Sequence, residues 1–200
     1  MSNDATPADK PEGAKIGWQL RRSRHAFTGK VNRLRHDEVS IAGRGDIEYS
    51  YLERGESVII VPVTTDGQMA LIRQYRYPVD AFCYELPAGC CRDQGSVALE
   101  EVARRELREE IGGVPGSLEY VTWFYSSSSI SDEVCHIFLA SGVELSLPPE
   151  TEPGEHIQTL LMPAAEALGI VRRGEMKTGT CALAILHCEA RLRASGLLVG

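Results

Sequence analysis

The chain lacks any apolar run long enough to cross a bilayer. Its longest stretches, such as Cys181 to Leu186, stop far short of the roughly 20 residues that a spanning helix needs. No basic-then-apolar segment leads the sequence, which argues against secretion. The six cysteines (Cys83, Cys90, Cys91, Cys135, Cys181 and Cys188) form no CxxC, so reduced thiols in the cytoplasm are the expectation. An excess of positive charge is also missing: 21 Lys and Arg stand against 28 Asp and Glu, a formal charge of -7. That balance disfavours nucleic acid and an anionic membrane as partners, and an anionic substrate has to be held by local groups. There is no internal repeat. What is present is ordinary for a soluble globular protein: 200 residues, 43% hydrophobic and 24% charged, enough for one domain or two small ones.

Residues 1–15 are rich in Asp, Pro, Gly and Ala and offer little to bury, so they read as a disordered tail. Residues 16–55 read as N-terminal strands that pack on, or swap with, a larger domain over 56–200. Loose alternation over Phe27 to Ile41 and again over Ile47 to Leu52 predicts two strands around the turn at Gly43 and Gly45. Ser57 to Val63 and Gln68 to Tyr75, separated by Asp66-Gly67, predict a hairpin, with Pro62 marking a bulge or an edge. A Gly/Cys-rich loop then leads into a helix over Ser96 to Ile111, with Ser96 as N-cap and Gly112-Gly113 closing it. Strands follow at Leu118 to Tyr125, Val134 to Leu139 and Ile157 to Leu161. Two helices, Ala164 to Arg173 and Thr178 to Arg193, end the pattern.

The helix before Gly112 carries the chemical signal. With Leu99 as reference and about 100° per residue, Ala103 lies about 40° away and Glu106 and Glu110 about 20° to either side. Glu109 lies on the flank near Val102, whereas Arg104 and Arg108 point nearly opposite, toward water. Carboxylates at i, i+3 and i+4 repel and raise one another's pKa unless something positive sits among them. A solvated acidic face tied to Arg104, Arg105 and Arg108 is the alternative. It does not explain why carboxylates share the direction that Leu99 and Ala103 bury. A hard divalent cation, magnesium or manganese, fits oxygen-only ligation, while zinc would call for His or Cys at ligand spacing. Such a cation commonly binds substrate phosphates.

The string Arg105-Glu106-Leu107-Arg108-Glu109-Glu110-Ile111-Gly112-Gly113, preceded by Gly89, resembles the Nudix box: Gly, five residues, Glu, seven residues, Arg-Glu-apolar-any-Glu-Glu-any-Gly-apolar. The second half matches apart from Gly113. The first half departs, because neither Gly95 nor Val97 is the expected Glu and the spacing from Gly89 to Arg105 is two residues longer. Glu100 or Glu101 is the candidate to stand in for that Glu, which in the family braces the box Arg. Arg73-Gln74-Tyr75-Arg76-Tyr77-Pro78 followed by Tyr84-Glu85-Leu86-Pro87-Ala88-Gly89 is similar to the lead-in segment of the ADP-ribose pyrophosphatase branch. The resemblance implies a Nudix α/β/α sandwich with a mixed sheet, preceded by a small N-terminal β-sheet that helps form a homodimer. It implies metal ligation by the Ala88 carbonyl, Glu106 and Glu110, with Glu109 near the ions, and substrate contact by Arg76 and Glu85. Tyr125 to Glu133, YSSSSISDE, matches a loop that in similar enzymes ends in a Glu acting on the attacking water, so Glu133 is the matching base. Ser126, Ser128 and Ser129 replace that loop's prolines and glycine. The implied activity is hydrolysis of the diphosphate in a nucleoside diphosphate linked to another moiety, ADP-ribose or a related nucleotide sugar, with a catalytically impaired nucleotide-binding module as the alternative.

Other residues read more plainly. Arg76 serves equally as a surface ion pair. Cys90 and Cys91 read as small buried hydrophobes, His136 as a sheet residue, and His187 and Cys188 as packing. Trp18, Tyr49 and Tyr51 fit either a stacking platform for a base or a core or dimer contact.

Overall fold

The computed structural model describes residues 10–29, 32–91, 97–151 and 154–198, in two compact units. The first unit takes in the chain up to Gly55 together with Tyr125–Glu133. A short helix α1 (Pro11–Lys15) opens it, with a proline in its first turn and a Lys15–Glu12 ion pair, where the composition predicted only a tail. An antiparallel sheet of three strands follows: β1 (Trp18–Thr28), β2 (Arg33–Ile41) and β3 (Gly45–Glu53). The sequence pattern showed two of these and missed most of β1, whose WQLRRSRHAFT has no apolar alternation. Its buried position is polar. Ser23 lies opposite Asp37 and donates to its Oδ1 at 2.5 Å. Arg35, 2% exposed, is held by Asp37 at 3.0 Å and Glu53 at 3.1 Å, and Glu53 also meets His25 at 2.9 Å. A buried guanidinium is tolerated here because carboxylates pair with it.

The second unit, Glu56–Phe124 with the chain from Val134 on, is built on a mixed sheet. Its strands are β4 (Glu56–Thr64), β5 (Gln68–Arg76), β6 (Ala81–Glu85), β7 (Ala88–Cys90), β8 (Gly113–Val114), β9 (Ser117–Tyr125), β10 (Val134–Leu145) and β11 (Ile157–Pro163). The order is β11-β5-β4-β10-β8, with β6 on β5, β7 on β4 and β9 on β10. β4 and β10 run parallel, while β5 pairs antiparallel with β4 after the turn at Gly67, φ +81°. Pro62 lies in this central strand, and the β4–β10 register shifts just beyond its partner Ala140. The missing N–H is thus accommodated as a bulge, and the edge placement is not taken.

The period of two in the central strands builds two cores. Val58, Ile60, Ala70, Ile72, Phe138 and Ala140 face helix α2 (Leu99–Ile111), where they meet Val102, Ala103, Leu107 and Ile111. Ile59, Val61, Met69, Leu71, Ile137 and Leu139 face helices α3 (Ala164–Arg172) and α4 (Gly179–Ala194), which contribute Ala167, Leu168, Ile170, Ala184, Ile185, Cys188 and Leu192. Each large side chain so buried contributes about 1.5–3 kcal/mol of hydrophobic stabilisation. Helices therefore cover both faces of one sheet, the α/β/α arrangement that the resemblance implied. Ser96, the expected N-cap of α2, falls outside the described residues, and Ala98 occupies the N-cap position. At the other end Gly112 adopts φ +67°, and its N–H closes on Arg108 O at 2.8 Å. A Cβ at Gly112 would sit 1.9 Å from Leu147 O, so the position requires glycine for space as well as for conformation.

Candidate active site

α2 presents its carboxylates to the sheet as the sequence periodicity predicts. Ala103 and Leu107 are fully buried, Glu110 is 6% exposed, and the Glu106 side chain is 15% exposed, whereas Arg104 and Arg108 are about half-exposed. β7 lies directly against this acidic turn. The Ala88 N–H donates to Glu110 Oε2 at 3.3 Å, and a Cβ on Gly89 would fall 2.1 Å from the carboxyl carbon of Glu106. The glycine that opens the box is therefore there to let the backbone reach the carboxylates. Glu109 stands on the flank, one-third exposed, 3.5 Å from Arg105 Nε and 3.9 Å from Arg108 Nη2.

The electrostatics follow from burial. Loss of solvent, reinforced by the charges of Glu106 and Glu155, pushes the Glu110 carboxyl up to about 9, against the weaker pull of the Ala88 N–H and Arg76. Burial also raises Glu106, with Glu109 and Glu155 adding to it, while the Arg105 guanidinium at 2.6 Å opposes the rise. Arg105 thus grips its neighbour Glu106, with Glu109 one turn further on. Glu100, one of the two stand-ins for the missing box Glu, is held by Arg104 at 2.7 Å.

The donors are oxygens, two of them on buried carboxylates that burden each other with negative charge, which suits a hard divalent ion. Among the described residues no three His, Cys, Asp or Glu side chains converge on one point. An ion at this turn would therefore draw part of its shell from main chain, water or substrate oxygens, as magnesium prefers.

Glu155 was missed by the sequence reading. It lies in the connection between β10 and β11, where a single acidic residue has no periodicity to mark it. The fold returns it to the box. Leu147 N–H donates to Gly112 O at 3.2 Å and Glu150 N–H to Glu109 O at 2.8 Å, strapping this connection to the end of α2, and the Glu155 charge acts on both Glu106 and Glu110.

Arg76 and Glu85, at the ends of adjacent strands β5 and β6, are brought together. Glu85 is 3% exposed and accepts from Arg76 Nε at 2.9 Å and from Nη2 at 2.5 Å. That contact holds the guanidinium above its ordinary pKa, and the Glu110 charge adds to the effect. Glu133 belongs to the N-terminal unit. Its carboxylate lies 3.7 Å from Arg54 Nη2, and its N–H donates to Ser131 Oγ at 3.1 Å. The serine segment before it is tied to β3: Asp132 accepts the N–H of Arg54 at 2.6 Å, and Leu52 N–H donates to Ile130 O at 2.9 Å.

Trp18, Tyr49 and Tyr51 line one cleft of about 490 Å³ in the N-terminal unit, together with Leu20, Val39 and Asp37. None of the six cysteines is in a disulfide, and burial pushes Cys91, Cys181 and Cys188 up to about 12, as packing residues. His136 is buried in the sheet, with Nδ1 at 3.3 Å from the Tyr120 hydroxyl. No helix among the described residues is long and apolar enough to cross a membrane.

Comparison with known proteins agrees with this geometry. The chain is 28% identical over 166 residues to an ADP-ribose pyrophosphatase of Bacillus subtilis (strain 168), covering 82% of this chain and 89% of the relative. It is 30% identical over 164 residues to an ADP-ribose pyrophosphatase of Mycobacterium tuberculosis (strain ATCC 25618 / H37Rv), covering 82% and 79%. A GDP-mannose pyrophosphatase of Cronobacter sakazakii (strain ATCC BAA-894) is 30% identical over 148 residues, covering 70% and 76%. In fold, the chain matches a crystal structure of an ADP compounds hydrolase with a TM-score of 0.77 at 18% identity, over 91% of this chain and 97% of that one. The NUDIX domain model matches residues 53–179, a span that contains β7, the acidic turn of α2 and the Arg76–Glu85 pair, and the chain belongs to the Nudix family.

Proposed function

We propose that the protein is a magnesium-dependent pyrophosphohydrolase acting on a nucleoside diphosphate linked to another moiety, with ADP-ribose as first substrate and a nucleotide sugar next. The observation that carries this reading is the buried pair Glu106 and Glu110 set against the β7 backbone. Two raised carboxylates sharing one low-dielectric wall are stabilised by a divalent charge. The relatives whose names specify ADP-ribose and GDP-mannose support the substrate class.

Glu106, Glu110 and the Ala88 carbonyl, with Glu109 on the flank, would hold the magnesium. When bound, the metal supplies charge neutralisation for the diphosphate oxygens and lowers the pKa of a water. Arg76 pairs with phosphate or ribose oxygens through the part of its guanidinium that Glu85 leaves exposed, and Glu85 completes that substrate-facing pair. Hydrolysis also needs a carboxylate to take the proton of the attacking water. The family resemblance points to Glu133 for this role. Glu155 has the added support that its charge acts on Glu106 and Glu110. Bond breaking at the diphosphate of ADP-ribose gives AMP and ribose 5-phosphate. The protein works as a homodimer in the cytoplasm in this reading, in line with the resemblance and with six cysteines outside any disulfide.

The test is phosphate release, with added phosphatase, from ADP-ribose, UDP-glucose, GDP-mannose and a dinucleotide, with and without magnesium. Magnesium-dependent turnover of ADP-ribose is the expected result. Binding of these compounds by folded, magnesium-loaded protein without turnover of any would favour the impaired binding module.

A further inference from the structure

The N-cap of the last helix does not serve its own helix. Thr178 has the extended backbone of an N-cap residue at the start of α4, yet its hydroxyl makes no capping bond to the first turn. A threonine there ordinarily accepts a backbone N–H, and giving up that bond costs stability. Instead the Thr178 hydroxyl donates to Glu85 Oε1 at 3.1 Å, across 93 residues of sequence.

Glu85 is where the two elements meet. Its carboxylate is buried, and a buried carboxylate keeps a fixed orientation only when its lone pairs are occupied. Arg76 takes one side in a forked contact, through Nε to Oε1 at 2.9 Å and Nη2 to Oε2 at 2.5 Å. Thr178 takes a further site on Oε1. The Arg76 side chain is 47% exposed on its other side and feels the Glu110 charge. The direction in which its remaining N–H groups point is therefore set by Glu85, and the orientation of Glu85 is set in turn by Thr178.

We propose that Thr178 is a positioning residue for substrate binding: through Glu85 it fixes the Arg76 guanidinium in the orientation that receives the substrate's phosphate or ribose oxygens. This rests on the reading of Arg76 as a substrate contact. The sequence gives no hint of it, because a Lys-Thr-Gly start to a helix reads as a cap and nothing more.

The experiment compares Thr178→Val, which keeps the shape and removes the hydroxyl, with Thr178→Ser, which keeps the hydroxyl. Losing one hydrogen bond to a charged group should raise KM for ADP-ribose about ten-fold while kcat stays within about two-fold, and Thr178→Ser should recover most of the loss. In an Arg76→Ala background Thr178→Val should change KM no further, because the residue acts through Arg76. An unchanged KM in Thr178→Val would overturn the proposal, as would an effect that persists undiminished in the Arg76→Ala background. The same ratios are read as dissociation constants for ADP-ribose by calorimetry. A wild-type protein that binds but does not turn over would then refute the hydrolase reading while Thr178 still faces its own test, and a wild type that neither binds nor turns over ADP-ribose would overturn both.

Discussion

Replacing Glu110 by Gln should make the metal-free protein more stable and remove the stabilisation that magnesium gives the wild type. In the unfolded chain this carboxyl titrates near its ordinary value of 4.5, and in the folded chain burial beside Glu106 and Glu155 moves it to about 9. Below about pH 4 both states are protonated, and the group contributes nothing to the pH dependence. Above that the unfolded chain releases its proton and the folded one keeps it, so the folded state binds more protons and stability falls as pH rises, by about 1.4 kcal/mol per unit, until about pH 9. At about pH 7.5 the accumulated cost is about 4 kcal/mol. Glutamine does not titrate, and its side-chain oxygen can still accept the Ala88 N–H. In chelator at about pH 7.5, Glu110→Gln should therefore melt roughly 10 °C above the wild type, since each kcal/mol is worth about 2–4 °C in a chain of this length. The difference should vanish near about pH 4. Saturating magnesium should displace the proton and raise the melting temperature of the wild type, and leave the variant where it was. Scanning calorimetry over pH, with and without magnesium, reads all four conditions. Equal pH slopes for the two chelated proteins would refute the account of Glu110 as a buried carboxyl raised by its neighbours. An equal rise with magnesium in both would refute its role as a ligand.

Glu155→Gln and Glu133→Gln, assayed side by side for ADP-ribose hydrolysis, identify the base. The one that accepts the water's proton should lose about 10²–10⁴-fold in kcat with little change in KM, and an undiminished kcat in Glu155→Gln would remove it from the chemistry. Gly89→Ala places a methyl group on the Glu106 carboxylate, so magnesium affinity by calorimetry should drop at least about ten-fold, with a destabilisation of about 1–3 kcal/mol in urea. Wild-type affinity in that variant would show that β7 does not need to approach α2 so closely. Arg76→Ala should raise KM about ten-fold or more, and it also leaves the Glu85 carboxylate buried without its cation, so its melting temperature should fall as well. A KM equal to that of the wild type would return Arg76 to the status of a structural ion pair.

The acidic turn was legible because it is local. Helical periodicity alone places Glu106 and Glu110 on the side of Ala103 and Leu107, and Gly112 marks the end of the helix. The hairpin at Asp66-Gly67 and the apolar strands β4, β5 and β10 were legible for the same reason, since side-chain alternation is written residue by residue. β1 was not, because its buried face is made of Ser23 and of contacts to Arg35 and Asp37, which only pairing between strands turns into an interior. Pro62 was legible in part: the proline announced a bulge or an edge, and only the pairing with β10, whose register shifts just beyond Ala140, decided for the bulge.

The sequence by itself determined which residues share a helix face, where the turns fall, and that a negative cluster would point inward and need a positive partner. Only the tertiary structure decided what else meets that cluster. The strap from β10 carries the Glu155 charge to Glu106 and Glu110, β7 comes close enough for Gly89 to be obligatory, and Thr178 reaches Glu85 from the far end of the chain. Such contacts link residues tens of positions apart through the packing of a sheet between helices. No periodicity encodes them, because they depend on the direction in which whole elements approach one another.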